Sequence, residues 1–342
     1  LSRNSHINPR ATKPKKNTDP QKLFDQLSQG DVASLSQAIT LIESQKPEDQ
    51  LYAKKILRQS LPSSGNSFRL GITGVPGVGK STFIESLGKH IIDSGKKLAV
   101  LAIDPSSNIS KGSILGDKTR MEELVKSNQA FIRPSPAGET LGGVARKTRE
   151  AIILCEAAGY DFIIVETVGV GQSETAVHSM TDFFLLLKLA GAGDDLQGIK
   201  RGIMELADAV VINKADGDNQ KRAMHARREF KNALHLMPPK NHEWETQVFT
   251  CSGLKDDGVR EILDHLNEFN IHSNKNQSFK NNRLEQEFYW LHQTIDDALK
   301  TQFYTNPKVV LKLAELKADI AGQKVSPFEA AQVLLQINQS YK

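Results

Sequence analysis

The sequence predicts an α/β fold: a mostly parallel sheet covered by helices on both faces, with a helical extension before it and a helical arm after it. Between Phe68 and Asn270 strand-like and helix-like segments alternate. The strand candidates are apolar throughout rather than at every second residue, as strands buried on both faces must be. They are residues 68–73, 98–103, 130–133, 162–166, 183–189, 209–213 and 247–250, and helical patterns at 81–94, 144–158, 197–206, 219–236 and 259–269 separate most of them. Polar residues suited to ligand binding fall at the carboxyl ends of these strands, where open parallel sheets place their sites.

In chain order, residues 1–20 are polar, with Arg3, Arg10, Lys13, Lys15 and Lys16 and no acid before Asp19. They read as a flexible, solvated arm rather than as a trimmed targeting segment. Over 21–62 the positions Leu23, Phe24 and Leu27, then Leu35, Ala38, Ile39 and Ile42, then Leu51, Ala53, Ile56 and Leu57 recur at helical spacing. Breaks near Gly30 and Pro47 divide them into three helices. Pro62-Ser63-Ser64-Gly65-Asn66 is a linker into a nucleotide-binding domain over 63–271.

The first strand runs into Gly74-Val75-Pro76-Gly77-Val78-Gly79-Lys80-Ser81, which matches G-x-x-x-x-G-K-S in full, and a helical run from Thr82 follows. Strand, glycine-rich loop and helix together make a phosphate loop. The backbone N–H groups wrap the anion, the helix points its positive end at it, and Lys80 adds a mobile cation. Ser81 is the expected Mg²⁺ ligand, and the binding segment extends from Gly74 to Thr82. The fold is thereby narrowed to the P-loop NTPase class.

Asp104 follows the second strand, and Glu166 ends the fourth. A carboxylate beside a phosphate loop can hold Mg²⁺ directly or through water. Gly169 stands three residues beyond Glu166, the spacing at which a switch loop offers its N–H to a γ-phosphate. Gln172 and Glu174 on the same loop can orient water. The catalytic candidates are Lys80, Asp104, Glu166 and Gln172; the metal candidates are Ser81, Asp104 and Glu166.

The sixth strand ends in Asn213-Lys214-Ala215-Asp216. Guanine presents N1–H and a 2-amino group on one edge, so the Asp216 carboxylate can accept two hydrogen bonds; adenine has an unprotonated N1 there and is repelled. Lys214 can lay its stem along the purine, Asn213 can bridge to the loop framework, and Ser252, Gly253 and Leu254 can serve the O6 side. GTP and GDP are therefore the expected nucleotides.

A polar linker at 272–282 opens a C-terminal helical arm, 272–342. There Leu284, Phe288, Leu291, Ile295 and Leu299, then Val310, Leu313, Leu316 and Ile320, then Ala330, Ala331, Leu334 and Leu335 recur at helical spacing. Pattern alone leaves open whether these helices pack on their own domain or on a second copy. The net charge of +4 is scattered, which gives no case for nucleic acid. Cys155 and Cys251 form no disulfide framework, which suggests a reducing compartment, cytoplasmic or, in a eukaryote, the mitochondrial matrix. The longest apolar run, 183–190, contains Lys188 and is far short of the ~20 residues of a membrane span.

Residues 74–81, Asp104-Pro105-Ser106-Ser107, Arg133-Pro134-Ser135-Pro136 with Leu141-Gly142-Gly143, the run from Glu166 to Glu174, the run from Gly191 to Lys200, and Asn213-Lys214-Ala215-Asp216 resemble the methylmalonyl-CoA mutase-associated GTPase family (MeaB/ArgK) of P-loop GTPases. The resemblance covers nearly the whole chain after Gln21. It implies a GTP-hydrolysing metallochaperone of an adenosylcobalamin-dependent methylmalonyl-CoA mutase, one that gates cofactor loading and protects the mutase from inactivation. It further implies homodimers joined through the C-terminal arm. In its terms Lys80 stabilises phosphate charge, Ser81 binds Mg²⁺, Asp104 and Glu166 position metal or water, and Asp216 selects guanine. Residues 188–200 become a nucleotide-sensing switch that meets the mutase. No arginine finger in cis is evident, so slow turnover stimulated by a partner is expected.

Three rivals fit less well. A nickel-insertion GTPase would place Cys or His beside the strand-end glutamate, where Gln172-Ser173-Glu174 stands instead. A transport-associated nucleotide-binding protein would dock on a membrane, and the basic arm has no apolar face for that. A protein-targeting GTPase would need a Met-rich region, and the chain has 5 Met.

Overall fold

The computed structural model describes residues 19–103, 121–134, 141–167, 173–190, 201–237 and 244–339. Three helices come first, the first two with side-chain caps. Asp19 accepts from the Gln21 N–H to start α1 (Pro20–Ser28), Asp31 accepts from the Ser34 N–H to start α2 (Val32–Glu43), and Pro47 opens α3 (Pro47–Ser60), where a missing N–H costs nothing. Then follow β1 (Phe68–Gly74), α4 (Lys80–Asp93), β2 (Leu98–Ile103), α5 (Glu122–Lys126), β3 (Ala130–Arg133), α6 (Leu141–Ala157) and β4 (Phe162–Thr167). The second half holds α7 (Ser173–His178), β5 (Phe183–Leu189), α8 (Arg201–Leu206), β6 (Ala209–Asn213), α9 (Gln220–Leu234), β7 (Gln247–Thr250) and α10 (Val259–Lys275). The chain closes with α11 (Ser278–Thr305), α12 (Pro307–Ala321) and α13 (Pro327–Gln339).

The seven strands form one sheet in the order β3-β2-β4-β1-β5-β6-β7, and every neighbouring pair is parallel. Central β1 and β6 are buried along their whole length. Side chains alternate between two cores. Ala99, Leu101, Ile163 and Val165 face α1, α2, α3 and α6, whereas Leu98, Val100, Phe162 and Ile164 face α4, α5 and α10. A third cluster packs Val210 and Ile212 against Ala223, Ala226 and Phe230 of α9. From β1 the chain crosses to β2 and β3 on one side, returns to insert β4 beside β1, and then lays β5, β6 and β7 on the other side. The carboxyl end of β1 is therefore the point where strand order reverses.

Charge gathers at the opposite, amino ends of β1 and β5. Arg69, 3% exposed, forms a two-pronged pair with Glu156 of α6, Nε to Oε1 at 2.8 Å and Nη2 to Oε2 at 2.9 Å. Glu156 also accepts from the Ser67 hydroxyl at 2.6 Å and the Gly65 N–H at 2.7 Å. Arg283 of α11 pairs with Asp182, which itself accepts from the Arg69 N–H at 2.7 Å, and donates to the Ser67 carbonyl at 2.8 Å. One network thus ties the 63–67 linker, α6, β1, β5 and α11 together.

The C-terminal helices correct the sequence reading at one point and add to it at another. The polar stretch 272–282 is not a linker: it is helical to Lys275 and again from Ser278, broken only at Asn276 and Gln277, the latter at φ 64°. Its polarity belongs to exposed helix surface. Second, α11 turns a largely polar face inward. Gln286 donates to the Thr181 carbonyl at 2.7 Å and the Trp290 indole to the Ser179 carbonyl at 3.0 Å, while Leu284, Phe288, Leu291, Ile295 and Leu299 stay exposed. The domain does not bury its own apolar stripe. The helices α12 and α13 pack on each other through Val309, Leu316, Ala330 and Leu334.

Removing Glu156 leaves Arg69 and Arg283 without their shared counter-ion, so Glu156→Ala is expected to lower unfolding stability by about 3–5 kcal/mol, measured by denaturant titration. Burial alone raises the Glu156 carboxyl, but Arg69, followed by Arg283 and Ser67, outweighs it and holds the group below its ordinary 4.5. Its contribution is complete above 4.5 and is lost as pH falls through the lower folded value. Glu156→Gln accordingly flattens the acid limb of the stability curve.

Candidate active site

At the carboxyl end of β1 the chain wraps back over itself into α4. Gly79, the residue before the helix, sits at φ 93°, and a Cβ there would stand 2.8 Å from the Asn213 Nδ2. Only glycine meets both conditions. The Lys80 side chain, 8% exposed, folds back across the loop and donates to the Gly74 carbonyl at 2.8 Å and the Val75 carbonyl at 3.4 Å. Burial lowers the Lys80 pKa; Glu166 and Glu174 act against that shift. A cation therefore sits at the phosphate loop with two carboxylates in electrostatic reach. Val75, Pro76 and Gly77 are exposed, Val78 is buried, Ser81 is half-buried and Thr82 is exposed at the first turn of α4.

Glu166 is half-buried on β4, in register with Ile72 of β1, and Glu174 is buried at the start of α7. Below them the Thr167 hydroxyl donates to the Thr73 hydroxyl at 2.8 Å, locking the two strand ends together. Strand β2 ends at Ile103 opposite Thr167. Asp104, Gly169 and Gln172 lie outside the described residues, as does 191–200 of the expected switch.

The base end is organised by one side-chain amide. Asn213, 2% exposed at the end of β6, donates from Nδ2 to the Val78 carbonyl at 2.9 Å; its Oδ1 accepts from the Gly253 N–H at 3.1 Å and the Cys251 thiol at 3.4 Å. Burial pushes the Cys251 thiol up to about 12, so it stays protonated and can donate. Lys214, at φ 59°, stretches over the phosphate loop to donate to the Gly77 carbonyl at 2.8 Å. Asp216 is half-buried, and among the described residues its carboxylate has no hydrogen-bond or ion-pair partner. Ser252 and Gly253 are buried beside it in the chain's last loop of the sheet, and Leu254 is 75% exposed.

The structure thus brings together the phosphate loop, Lys80, Ser81, Glu166, Asn213, Lys214, Asp216 and the 252–254 loop. Sequence reasoning missed the Thr73–Thr167 tie, and it missed the contacts of the residues that follow Leu254, because their partners on α4 lie far away in the chain. Among the described residues no group of three or more His, Cys, Asp or Glu side chains gathers as for a soft-metal site.

The family model described as methylmalonyl Co-A mutase-associated GTPase MeaB matches residues 35–308. The chain belongs to the MeaB family of GTPases. GTPase ArgK of Escherichia coli is 48% identical over 280 residues, which cover 82% of this chain and 85% of that protein. The mitochondrial methylmalonic aciduria type A homolog of Mus musculus is 42% identical over 325 residues, 92% of this chain and 78% of that protein. The crystal structure of an LAO/AO transport system kinase superposes with a TM-score of 0.76 at 37% identity, over 94% of this chain and 97% of that one. As a MeaB-family member this chain is a P-loop GTPase that binds guanine nucleotide and hydrolyses GTP. No helix among the described residues is long and apolar enough to cross a membrane.

The guanine-selecting role expected of Asp216 has a chemical signature. Asp216→Asn exchanges an acceptor for a donor, which opposes the 2-amino group of guanine and matches the 2-carbonyl of xanthine. GDP affinity is expected to fall about 10–100-fold, the size of a charge-assisted hydrogen bond, while XDP affinity rises, both measured by calorimetry.

Proposed function

We propose that this chain is a Mg²⁺-dependent GTPase that serves an adenosylcobalamin-dependent methylmalonyl-CoA mutase as a chaperone, gating cofactor loading and protecting the mutase from inactivation. The observation that carries the reading is the tie of Asn213 to the phosphate loop through Val78, which brings the Asn213–Asp216 segment to that loop within the stretch that matches the mutase-associated family. The name of the mouse relative points to the same metabolism.

The residues divide the work. Backbone N–H groups of 74–81 and the start of α4 receive the phosphate chain, and Lys80 exchanges its carbonyl partners for β and γ oxygens. The Ser81 hydroxyl and the carboxylates of Glu166 and Asp104 are hard oxygen donors of the kind Mg²⁺ takes, and Ser81 and Glu166 stand at the adjoining ends of α4 and β4. When bound, Mg²⁺ supplies charge neutralisation on the β and γ phosphates. In this reading Glu166, Gln172 and Glu174 orient water. Asp216 accepts from the guanine N1–H and 2-amino group. Intrinsic hydrolysis is slow, and the mutase supplies the missing stimulation.

The chain acts as a homodimer through α11. Its stripe of Leu284, Phe288, Leu291, Ile295 and Leu299 recurs at intervals of three and four and is exposed along three turns and more, a pattern suited to a matching helix.

Two measurements test this. GTP hydrolysis by the purified protein is expected to rise severalfold on adding a methylmalonyl-CoA mutase from the same source, with ATP turnover at background. Fast hydrolysis indifferent to the mutase overturns the chaperone reading. Leu291→Asp together with Ile295→Asp is expected to give a monomer by light scattering with its hydrolysis of GTP retained; an unchanged mass removes α11 from the interface.

A further inference from the structure

The loop after β7 is fastened to the helix that carries the phosphate loop. Ser252 and Asp257 close it with a pair of backbone hydrogen bonds at 2.9 and 3.1 Å, and the Lys255 N–H caps onto the Ser252 hydroxyl at 3.2 Å. Between them Asp256 stands at φ 57°, the left-handed region that a residue with a Cβ enters at a cost. That conformation aims the carboxylate at α4. Its Oδ1 accepts from the Ser86 hydroxyl and from the His90 Nε2 at 2.8 Å. Ser86 and His90 are four residues apart and so share one face of the helix.

A second contact anchors the other side of the loop. A Cβ on Gly253 would lie 2.9 Å from the Phe83 Cα and 3.0 Å from its nitrogen, so this loop runs backbone-to-backbone against the first turn of α4. Gly253 donates its N–H to Asn213, which reaches the Val78 carbonyl. The helix whose first residue is Lys80 thus holds the base loop at two points. The Asp256 side chain is 54% exposed and lies outside the hydrophobic clusters, so packing gives no reason for its strained backbone. Burial raises its carboxyl, but the bonds from Ser86 and His90, with Lys89 close by, outweigh that and hold it below its ordinary value.

We propose that Asp256 is a positioning residue for the guanine base: by gripping Ser86 and His90 it fixes residues 252–254 against α4, so that the Leu254 N–H, the one of the three not already donating to Asp257 or Asn213, meets the guanine O6 at a set distance from the phosphate loop. The proposal rests on the guanine-nucleotide reading of this site. It assigns Asp256 to binding of the base alone, not to the phosphates or the chemical step.

The test uses the full chain, wild type and Asp256→Ala, with GTP turnover and inhibition by GDP, IDP and inorganic pyrophosphate. IDP keeps O6 and lacks the 2-amino group; pyrophosphate has no base. The expected result is a KM for GTP raised about tenfold with kcat within about twofold, the scale of one hydrogen bond. GDP and IDP weaken by the same factor, pyrophosphate is unaffected, and Asp256→Asn, which still accepts from Ser86, recovers most of the loss. Ser86→Ala with His90→Ala reaches the same outcome from the helix side. Equal weakening of pyrophosphate, a loss for GDP well beyond that for IDP, or unchanged KM overturns the assignment. Wild-type protein that binds neither GDP nor IDP fails the guanine reading itself, and that is seen before any variant is compared.

Discussion

A parallel sheet whose strands are buried on both faces has no room for polar side chains along its length, and its charged and hydrogen-bonding groups are driven to the strand ends. This chain uses both ends, and for different purposes. At the amino ends Arg69, Glu156, Asp182 and Arg283 neutralise one another and fasten the C-terminal arm. At the carboxyl ends Lys80, Glu166, Asn213 and Asp216 gather around the turn from β1 to α4. The first set pairs within the protein, with the Arg69 Nη1 left without a hydrogen bond among the described residues, whereas the Asp216 carboxylate lacks any partner among them. A group kept at a strand end without a protein partner is suited to a ligand.

The same constraint explains what could be read from the sequence. Strands buried on both sides appear as unbroken apolar runs, so 98–103, 130–133, 183–189, 209–213 and 247–250 coincide with the strands observed. The phosphate loop and the Asn213–Asp216 segment are contiguous, so their chemistry shows in one short stretch. Contacts between distant positions do not show. Arg69 meets Glu156 across 87 residues, Arg283 meets Asp182 across 101, and Ser86 meets Asp256 across 170. Periodicity finds the stripe on α11 but is silent on which way it faces. Its orientation follows from Gln286, Trp290 and Arg283, polar groups that dock the helix by hydrogen bonds and leave the apolar residues outside.

Asn213 shows how little material the site needs. One carboxamide joins the phosphate loop through Val78 and the base loop through Gly253, using its donor for one and its acceptor for the other. Aspartate would lose the donor, and a shorter side chain would reach neither. Because Gly79 leaves no room beside the Asn213 amide, the loop and the amide constrain each other. The nucleotide therefore meets a framework whose backbone is set in place beforehand, and preorganisation of this kind limits the ordering cost of binding.

The two strand-end systems also meet through α7. Glu174 at its first turn lies in electrostatic reach of Lys80, and the segment that follows its last residue, His178, presents the Ser179 and Thr181 carbonyls to Trp290 and Gln286 of α11. Asp182, next in the chain, is the partner of Arg283. A short stretch of chain thus separates a carboxylate that feels the charge at the phosphate loop from the contacts that seat the arm. The short helix α7 is a covalent link between the two regions, and the closely packed strands beside it resist displacement.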